Sequence, residues 1–306
     1  MTEKWNMDVR FTKDSDLNED NLPKKDIKRL RQMARTDKID EKKYKEHELE
    51  KTEKELATIH RMNEAAKTLL EDLGLPPLTI SDKAVHIIKV SEYKKREGED
   101  SNAHHVYGNI FVTREGGDET WFIHNLAHEI THDLGYHLNK LNLTTEKNSG
   151  LISNVDIDEA VKNFINRTAK GDLFGSGLTE GMTEIIARGL KRAYCDIAKL
   201  GPKQKEQLDK YTVYFGQILV LESVFDLINP DNHDDALYLF AKAYMTGDQN
   251  IYKMISDKFR EKGIKDGLKI LMQMGATPDD AFVTAKKLKL KQAEKNILDY
   301  IMIKNS

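Results

Sequence analysis

Residues 128–132 read His-Glu-Ile-Thr-His, an H-E-x-x-H motif whose side chains can bind a metal ion. Two histidines four residues apart on a helix lie on one face, one turn from each other. This spacing lets both imidazoles bind a single zinc ion. The carboxylate of Glu129 would lie beside the metal, where it can accept a proton from zinc-bound water. The sequence predicts that His128 and His132 bind Zn2+ and that Glu129 is a general base.

The residues around the motif favour the helix that this geometry requires. Gly116 and Gly117 precede the segment, and Asp118 or Thr120 could cap its first turn. We expect a helix from about Trp121 to Leu138, with the motif histidines at the edge of its apolar face. The apolar residues that recur at helical spacing are Phe122, Ile123, Leu126, Ala127, Ile130 and Leu134.

A catalytic zinc site needs a third protein ligand and leaves one position for water. His137 is one residue early for the extended motif H-E-x-x-H-x-x-G-x-x-H, and a helix turns by about 100° per residue. His124 lies one turn before His128, but Asn125 follows it, so this pair would lack the adjacent carboxylate. Acidic residues further along the chain fit the requirement better.

Glu180 and Glu184 lie about 50 residues after the motif, in a second segment with helical spacing. They are four residues apart and therefore share a helix face. One carboxylate could bind the metal, while the other accepts a hydrogen bond from the outward N–H of a ligating histidine. Leu178, Met182 and Ile185 lie between and beside them, which favours this function over a pair of solvated surface carboxylates.

The motif and the run Leu178-Thr179-Glu180-Gly181-Met182-Thr183-Glu184 together resemble the gluzincin branch of the zincin metallopeptidases. Thermolysin and anthrax lethal factor belong to this group. The resemblance implies that Glu180 is the third zinc ligand and that Glu184 supports the first motif histidine. Thr179 stands where asparagine is commoner in the family. By motif, the resemblance covers roughly residues 83–190.

Gluzincins also carry a tyrosine or histidine that stabilises the tetrahedral intermediate. The resemblance makes Tyr211 and Tyr214 the first candidates for this catalytic role and His233 the next, although no motif assigns any of them. Both tyrosines lie at the start of a predicted helix from Gln207 to Leu227. The resemblance further implies that Tyr107–Val112 forms an edge strand above the cleft, along which a peptide substrate would extend.

Composition excludes several other classes of protein. Charged residues make up 32% of the 306 residues but the net charge is only -3, which does not favour a general nucleic-acid binder. No apolar run is long enough to span a bilayer, and the first thirty residues contain no signal-peptide core. The single Cys195 cannot form an internal disulfide. We expect a cytoplasmic protein, or one exported without an ordinary signal peptide.

The chain order predicts a charged extension followed by one catalytic domain. Residues 1–22 are polar and aperiodic, which is typical of disorder, and residues 23–50 should form a charged helical extension. Residues 51–306 should form the metallopeptidase domain, with an upper lobe over about 51–140 and a helical lower lobe over about 155–306. Gly74-Leu75-Pro76-Pro77 should end a helix that reaches Leu73.

The predicted fold class is therefore α+β and mostly helical, a zincin-like two-lobed fold with a small mixed sheet in the upper lobe. The sheet should contain the β-rich runs 85–90 and 105–112. The predicted function is zinc-dependent endopeptidase activity on a peptide or protein substrate. The alternative is a catalytically silent protein of this fold that binds or regulates a partner through its N-terminal extension. The sequence does not define the oligomeric state.

Overall fold

The computed structural model describes residues 44–97, 102–106, 109–114, 119–145, 176–246, 248 and 250–304. This part of the chain is mostly helical and contains a small mixed four-stranded sheet, which confirms the predicted α+β class. The predicted disordered segment 1–22 and residues 23–43 of the predicted extension lie outside the described residues.

The described helices form two groups along the chain, one up to and including the motif helix and one after it. The first group comprises α1 (Glu53–Asp72), α2 (Val90–Glu97) and the motif helix α3 (Glu119–Thr145). The second comprises α4 (Ser176–Ile197), α5 (Pro202–Lys210), α6 (Phe215–Ile228), α7 (His233–Thr246), α8 (Asn250–Glu261), α9 (Gly267–Met272), α10 (Pro278–Lys287) and α11 (Lys291–Lys304).

The sheet has the order β1-β2-β4-β3, with strands β1 (Glu48–Leu49), β2 (Val85–Ile88), β3 (Ala103–Val106) and β4 (Asn109–Thr113). β2 and β4 are parallel, whereas β1 pairs antiparallel with β2 and β3 pairs antiparallel with β4. Every residue of β2 and β4 is buried, as expected for strands covered on both faces.

The strand predicted over 105–112 is wrong, because β3 and β4 form a hairpin in which Val106 pairs with Asn109. Tyr107 and Gly108, between them, lie outside the described residues. β4 lies between β2 and β3, so it is not the edge strand that the family resemblance implied. A substrate peptide cannot pair along β4, since both of its neighbours already occupy its backbone hydrogen-bonding groups.

The described residues fall into two compact units. The first comprises the described residues within Met1–Thr145 and Gly189–Lys210, and the second comprises those within Glu146–Arg188 and Tyr211–Ser306. The stretch Gly189–Lys210, which the sequence placed in the lower lobe, is thus part of the first unit. The end of the predicted extension also belongs to the first unit's core, since Tyr44 is 1% exposed and packs on Tyr93 and Phe111.

Helix α1 ends where the sequence predicted, next to Leu73 and Gly74. Thr52 and Glu55 form a capping box at its start, in which each side chain accepts a hydrogen bond from the other residue's backbone. Gly74 ends it with a φ of 65°, a left-handed conformation that glycine adopts without steric cost. The buried stripe of α1 includes Ile59, Met62, Ala66 and Leu70, all 0% exposed.

Arg114, just after β4, ties that strand to the start of α1. Its Nε and Nη2 donate to the two carboxylate oxygens of Glu55 at 2.8 and 2.7 Å, and Nη2 also donates to the carbonyl of Glu50 at 2.7 Å. Partial burial opposes ionisation of Glu55, but the bonds from Arg114 and Thr52 outweigh it and lower the pKa of the Glu55 carboxyl. This charge-assisted pair fixes α1 against the sheet.

In the second unit, α6 packs against α7, α8, α10 and α11. Its buried face is apolar, as the sequence predicted, but the single helix expected over 207–227 is wrong. The chain is interrupted at residues 211–214, between α5 and α6, and Tyr214 adopts a left-handed φ of 54°. The run Tyr211-Thr212-Val213-Tyr214 consists of residues with modest helix propensity, so a break costs less here than elsewhere in the segment.

Among the described helices, none is by itself long and apolar enough to cross a bilayer. Helices α5 and α6, taken together as a bent pair, reach the required length and apolar composition.

Replacing Arg114 with Met should lower the free energy of unfolding by about 1–3 kcal/mol at pH 7, because a part-buried charged hydrogen-bond pair is lost. Glu55 has a lowered pKa in the folded state, so its contribution is present above its unfolded-state pKa and is lost as pH falls through the folded-state value. Urea unfolding of wild type and Arg114→Met should therefore differ at pH 7 and converge on acidification below pH 4.5.

Lys54→Met provides the control, because Lys54 and Glu119 form a pair with side chains 70% and 38% exposed. Such an exposed pair contributes little to stability, because water and salt screen the two charges. Equal destabilisation by both variants at pH 7 would contradict the role assigned to Arg114.

Candidate metal centre

The motif helix α3 presents two histidines and a glutamate, as the sequence predicted. His128 and Glu129 are 6% and 7% exposed, and His132 is half-buried. The rings of His128 and His132 lie 5.0 Å apart with planes at 74°. The apolar residues of the helix hold this geometry, since Ile123, Leu126, Ala127, Ile130 and Leu134 are at most 3% exposed.

The structure brings Glu180 of α4 to the two motif histidines. One ligand atom each from His128, His132 and Glu180 lies within 4.8 Å of the other two. These residues form a group that could hold a metal ion. The predicted clustering of the three side chains is therefore confirmed, while zinc as the metal stays a prediction. A catalytic zinc site requires three protein donors, and Glu180 is the described residue that supplies the third.

The donor set suits a divalent cation that prefers nitrogen and oxygen ligands. Tetrahedral coordination at about 2.0–2.2 Å would place donor atoms roughly 3.3–3.6 Å apart. The ligand atoms of the three residues lie within 4.8 Å of one another, an upper bound that includes this spacing. Burial of His128 and partial burial of His132 and Glu180 would limit competition from water for a bound ion.

Of the other two ligand candidates, His124 does not join this group. His124 is 1% exposed, its ring stacks on Trp121 at 5.6 Å, and its Nδ1 accepts a hydrogen bond from Nζ of Lys191 at 3.0 Å. These contacts make His124 part of the helix packing in the first unit. His137 belongs to α3 by its backbone, but its side chain lies outside the described residues.

Glu184, one turn after Glu180, is 0% exposed, whereas Glu180 is half-buried. The two carboxylates are therefore not a solvated surface pair. Burial of a carboxylate is costly unless hydrogen bonds or charges compensate for it. The burial of Glu184 is consistent with its predicted role as an acceptor that supports a metal ligand.

Two glycines set the position of the helix that carries Glu180. A Cβ on Gly177 would lie 2.1 Å from the carbonyl oxygen of Gly275, and the Gly177 N–H donates to the Met274 carbonyl at 3.0 Å. A Cβ on Gly181 would lie 2.8 Å from Leu221 Cδ1 and 3.0 Å from Gln217 Cβ. Because these positions lack side chains, the start of α4 can lie this close to Gly275, which follows α9, and to α6.

Hydrogen bonds of Thr183 and Arg188 hold the next two turns of α4. The hydroxyls of Thr183 and Tyr244 are hydrogen bonded at 2.6 Å, and Thr183 is 0% exposed. Arg188 donates from Nη2 to Oγ1 of Thr212 at 3.2 Å. These bonds join α4 to α7 and to the segment between α5 and α6, so they orient the turn that presents Glu180.

The candidate stabilisers of the intermediate have different surroundings. Tyr211 and Tyr214 are half-buried in the interrupted segment between α5 and α6, and the left-handed φ of Tyr214 is uncommon for a bulky residue. His233, at the start of α7, has a 39% exposed side chain and is paired with Asp226 at 2.7 Å. This pairing gives His233 a structural role at the surface.

Sequence reasoning missed two polar residues near the motif, the buried Asp133 and the part-buried His105. Asp133 is 2% exposed and accepts a hydrogen bond from Nε2 of His105 at 3.0 Å. His105 lies on β3, and its ring is parallel to that of His132. Two signals in the sequence were available: His104 and His105 are neighbours at the start of a predicted strand, and Asp133 lies next to Leu134 of the apolar stripe. Neither signal shows that His105 and Asp133 contact each other.

Comparisons with protein-family models, with curated proteins and with solved structures found no match to this chain. The likeness to metallopeptidases therefore depends on the motif and on the grouping of His128, His132 and Glu180.

Gly181→Ala should weaken zinc binding, because the added methyl group must push α4 away from Gln217 and Leu221 and so displace Glu180. Overpacking of this kind typically costs about 1–3 kcal/mol of stability. Thermal unfolding and zinc competition with a chromophoric chelator would measure both effects.

Gly189→Ala, in the same helix, is the matched control. A Cβ there would meet only Leu69 Cδ1 at 3.9 Å, an ordinary contact. Alanine should then stabilise the helix by about 0.5–1 kcal/mol and leave zinc affinity unchanged. The packing argument would be refuted if Gly181→Ala matched Gly189→Ala in both measurements.

Proposed function

We propose that this protein is a zinc-dependent endopeptidase of the gluzincin type, with a zincin-like catalytic fold. The observation that carries the proposal is the convergence of His128, His132 and Glu180 with Glu129 buried next to the first ligand. Two imidazoles and one carboxylate are the protein ligands typical of catalytic zinc in peptidases. A purely structural zinc site would instead have four protein ligands.

Zinc, when bound, would polarise the scissile carbonyl and make a water molecule acidic enough to react near neutral pH. Glu129 would accept the proton of the attacking water and then donate it to the leaving amine. Its position directly after His128 supports this role, because the carboxylate is adjacent to the ligand face of α3 without being the third ligand. Its burial keeps bulk water from competing for the proton.

The remaining groups would orient the ligands and the substrate. Glu184 would accept the outward ring N–H of His128, fixing the orientation of that ring. Tyr211 or Tyr214 would donate its hydroxyl hydrogen to the developing oxyanion. The interrupted backbone between α5 and α6 supports this assignment, because residues in uncommon conformations tend to cluster at functional sites.

The ligand assignment predicts opposite behaviour for the two glutamates of α4. Glu180→Ala should abolish stoichiometric zinc retention, since it removes a donor. Glu184→Ala should retain zinc with about 10–100-fold weaker affinity, as is typical when a supporting hydrogen bond is lost. Elemental analysis after dialysis, combined with chelator competition, would measure both. Full retention in Glu180→Ala with loss in Glu184→Ala would reverse the assignment.

The mechanism predicts that Glu129→Gln keeps zinc and the fold but loses hydrolysis. Glutamine has nearly the same shape and can still hydrogen-bond water, but it cannot accept the proton. General base catalysis contributes about 10²–10⁴-fold, so turnover should fall at least that far. The assay requires a peptide from a library that wild type cleaves, with zinc content measured on the same samples.

Glu119→Gln is the control, because Glu119 lies at the start of the same helix and forms only an exposed pair with Lys54 among the contacts described for it. It should cleave the peptide at the wild-type rate. Equal turnover by wild type and Glu129→Gln would defeat the peptidase mechanism and leave a binding or regulatory role as the better account.

A further inference from the structure

Successive residues of β3 face opposite sides of the sheet, which separates the neighbouring histidines 104 and 105. His104 lies on the side of Tyr93 and Phe111: its Nδ1 is 2.6 Å from the Tyr93 hydroxyl, and its ring is 4.8 Å from the Phe111 ring. His105 lies on the side of α3, which packs against β3. Only one of the two histidines therefore reaches the helix that carries the motif.

His105 is bound to the residue that directly follows a metal-ligand candidate. Its Nε2 lies 3.0 Å from Oδ1 of Asp133, and the two side chains are 11% and 2% exposed. A buried carboxylate requires hydrogen-bond donors, and the imidazole N–H supplies one. The bond joins β3 to the turn of α3 that contains His132, so it restrains the backbone at that ligand.

The ring of His105 also restrains the ring of His132. The two centroids lie 6.4 Å apart and the planes differ by only 9°, an offset parallel arrangement within the range of favourable aromatic pairs. A histidine side chain loses rotational freedom when it binds a metal, and a neighbour that already fixes the ring reduces that cost.

We infer that His105 and Asp133 form a positioning pair that holds His132 in its metal-binding orientation. Asp133 fixes the imidazole of His105 through a hydrogen bond, and His105 fixes the imidazole of His132 by parallel packing. Neither residue supplies a ligand atom to the group of three. This inference rests on the proposed metal centre but not on peptidase activity, because it concerns the binding of the ion alone.

The test compares zinc affinity with the stability of the metal-free protein. His105→Ala should weaken zinc binding by about 10–100-fold, the loss typical of residues that orient metal ligands. His105→Phe fills the same space but cannot donate to Asp133, so it should also weaken binding, and it carries the test if the alanine variant does not fold. Cobalt(II) substituted for zinc should show an altered visible spectrum in both variants.

His104→Ala is the matched control, since it removes the adjacent histidine of the same strand. It should lower the unfolding temperature of the metal-free protein and leave zinc affinity and the cobalt spectrum as in wild type. The inference is overturned if His105→Ala and His105→Phe bind zinc like wild type. It is also overturned if His104→Ala weakens zinc binding as much, since the effect would then be general damage to the sheet.

His128→Ala separates the failure of this inference from failure of the metal centre. If wild type binds zinc and His128→Ala does not, unchanged affinity in the His105 variants refutes the positioning pair alone. If wild type itself binds no zinc, or binds it independently of His128, both the metal centre and the positioning pair are refuted.

Discussion

Three side-chain donors can share one small cation only if the helices that carry them are held within a fraction of an ångström of a fixed geometry. His128 and His132 meet this constraint locally, because four residues make about one helical turn. Glu180 meets it only through packing, since its helix must be placed relative to distant parts of the chain. The described contacts that matter most are therefore those that fix α3 and α4.

These contacts combine close packing with buried polar groups. Gly177 and Gly181 allow a separation from Gly275 and Gln217 that no side chain would permit. Glu129, Asp133 and Glu184 are all at most 7% exposed, although burial of a carboxylate opposes folding. Several buried acids near one cluster of donors are expected where function, rather than stability, selects the residues. A bound cation would offset part of this cost by attraction to the carboxylates.

The parts predicted from sequence were those determined by local chemistry. The motif helix, the end of α1 at Gly74 and the apolar face of α6 each follow from spacing or from residues that stop helices. Glu180 could be proposed because it shares a short motif with Glu184 and because both lie on a predicted helix. The burial that distinguishes Glu180 from Glu184 required the structure.

The parts that were missed depend on tertiary contacts or on local conformation. The β-rich run 105–112 has no strong turn residue apart from Gly108, so the hairpin looked like one strand. The break at 211–214 was hidden by apolar residues that continue a helical pattern. The bond between His105 and Asp133 joins residues 28 positions apart, and no spacing in the sequence connects them.

X-ray absorption at the zinc edge tests the metal centre most directly, because it measures the donors around the ion in the intact protein. The account predicts one zinc per chain with two imidazole nitrogens at about 2.0–2.1 Å and carboxylate oxygen at about 2.0–2.2 Å. No sulfur should contribute, since the single Cys195 is buried and burial raises the pKa of its thiol. A protein that retains no zinc, or a zinc shell without imidazole, would contradict the account.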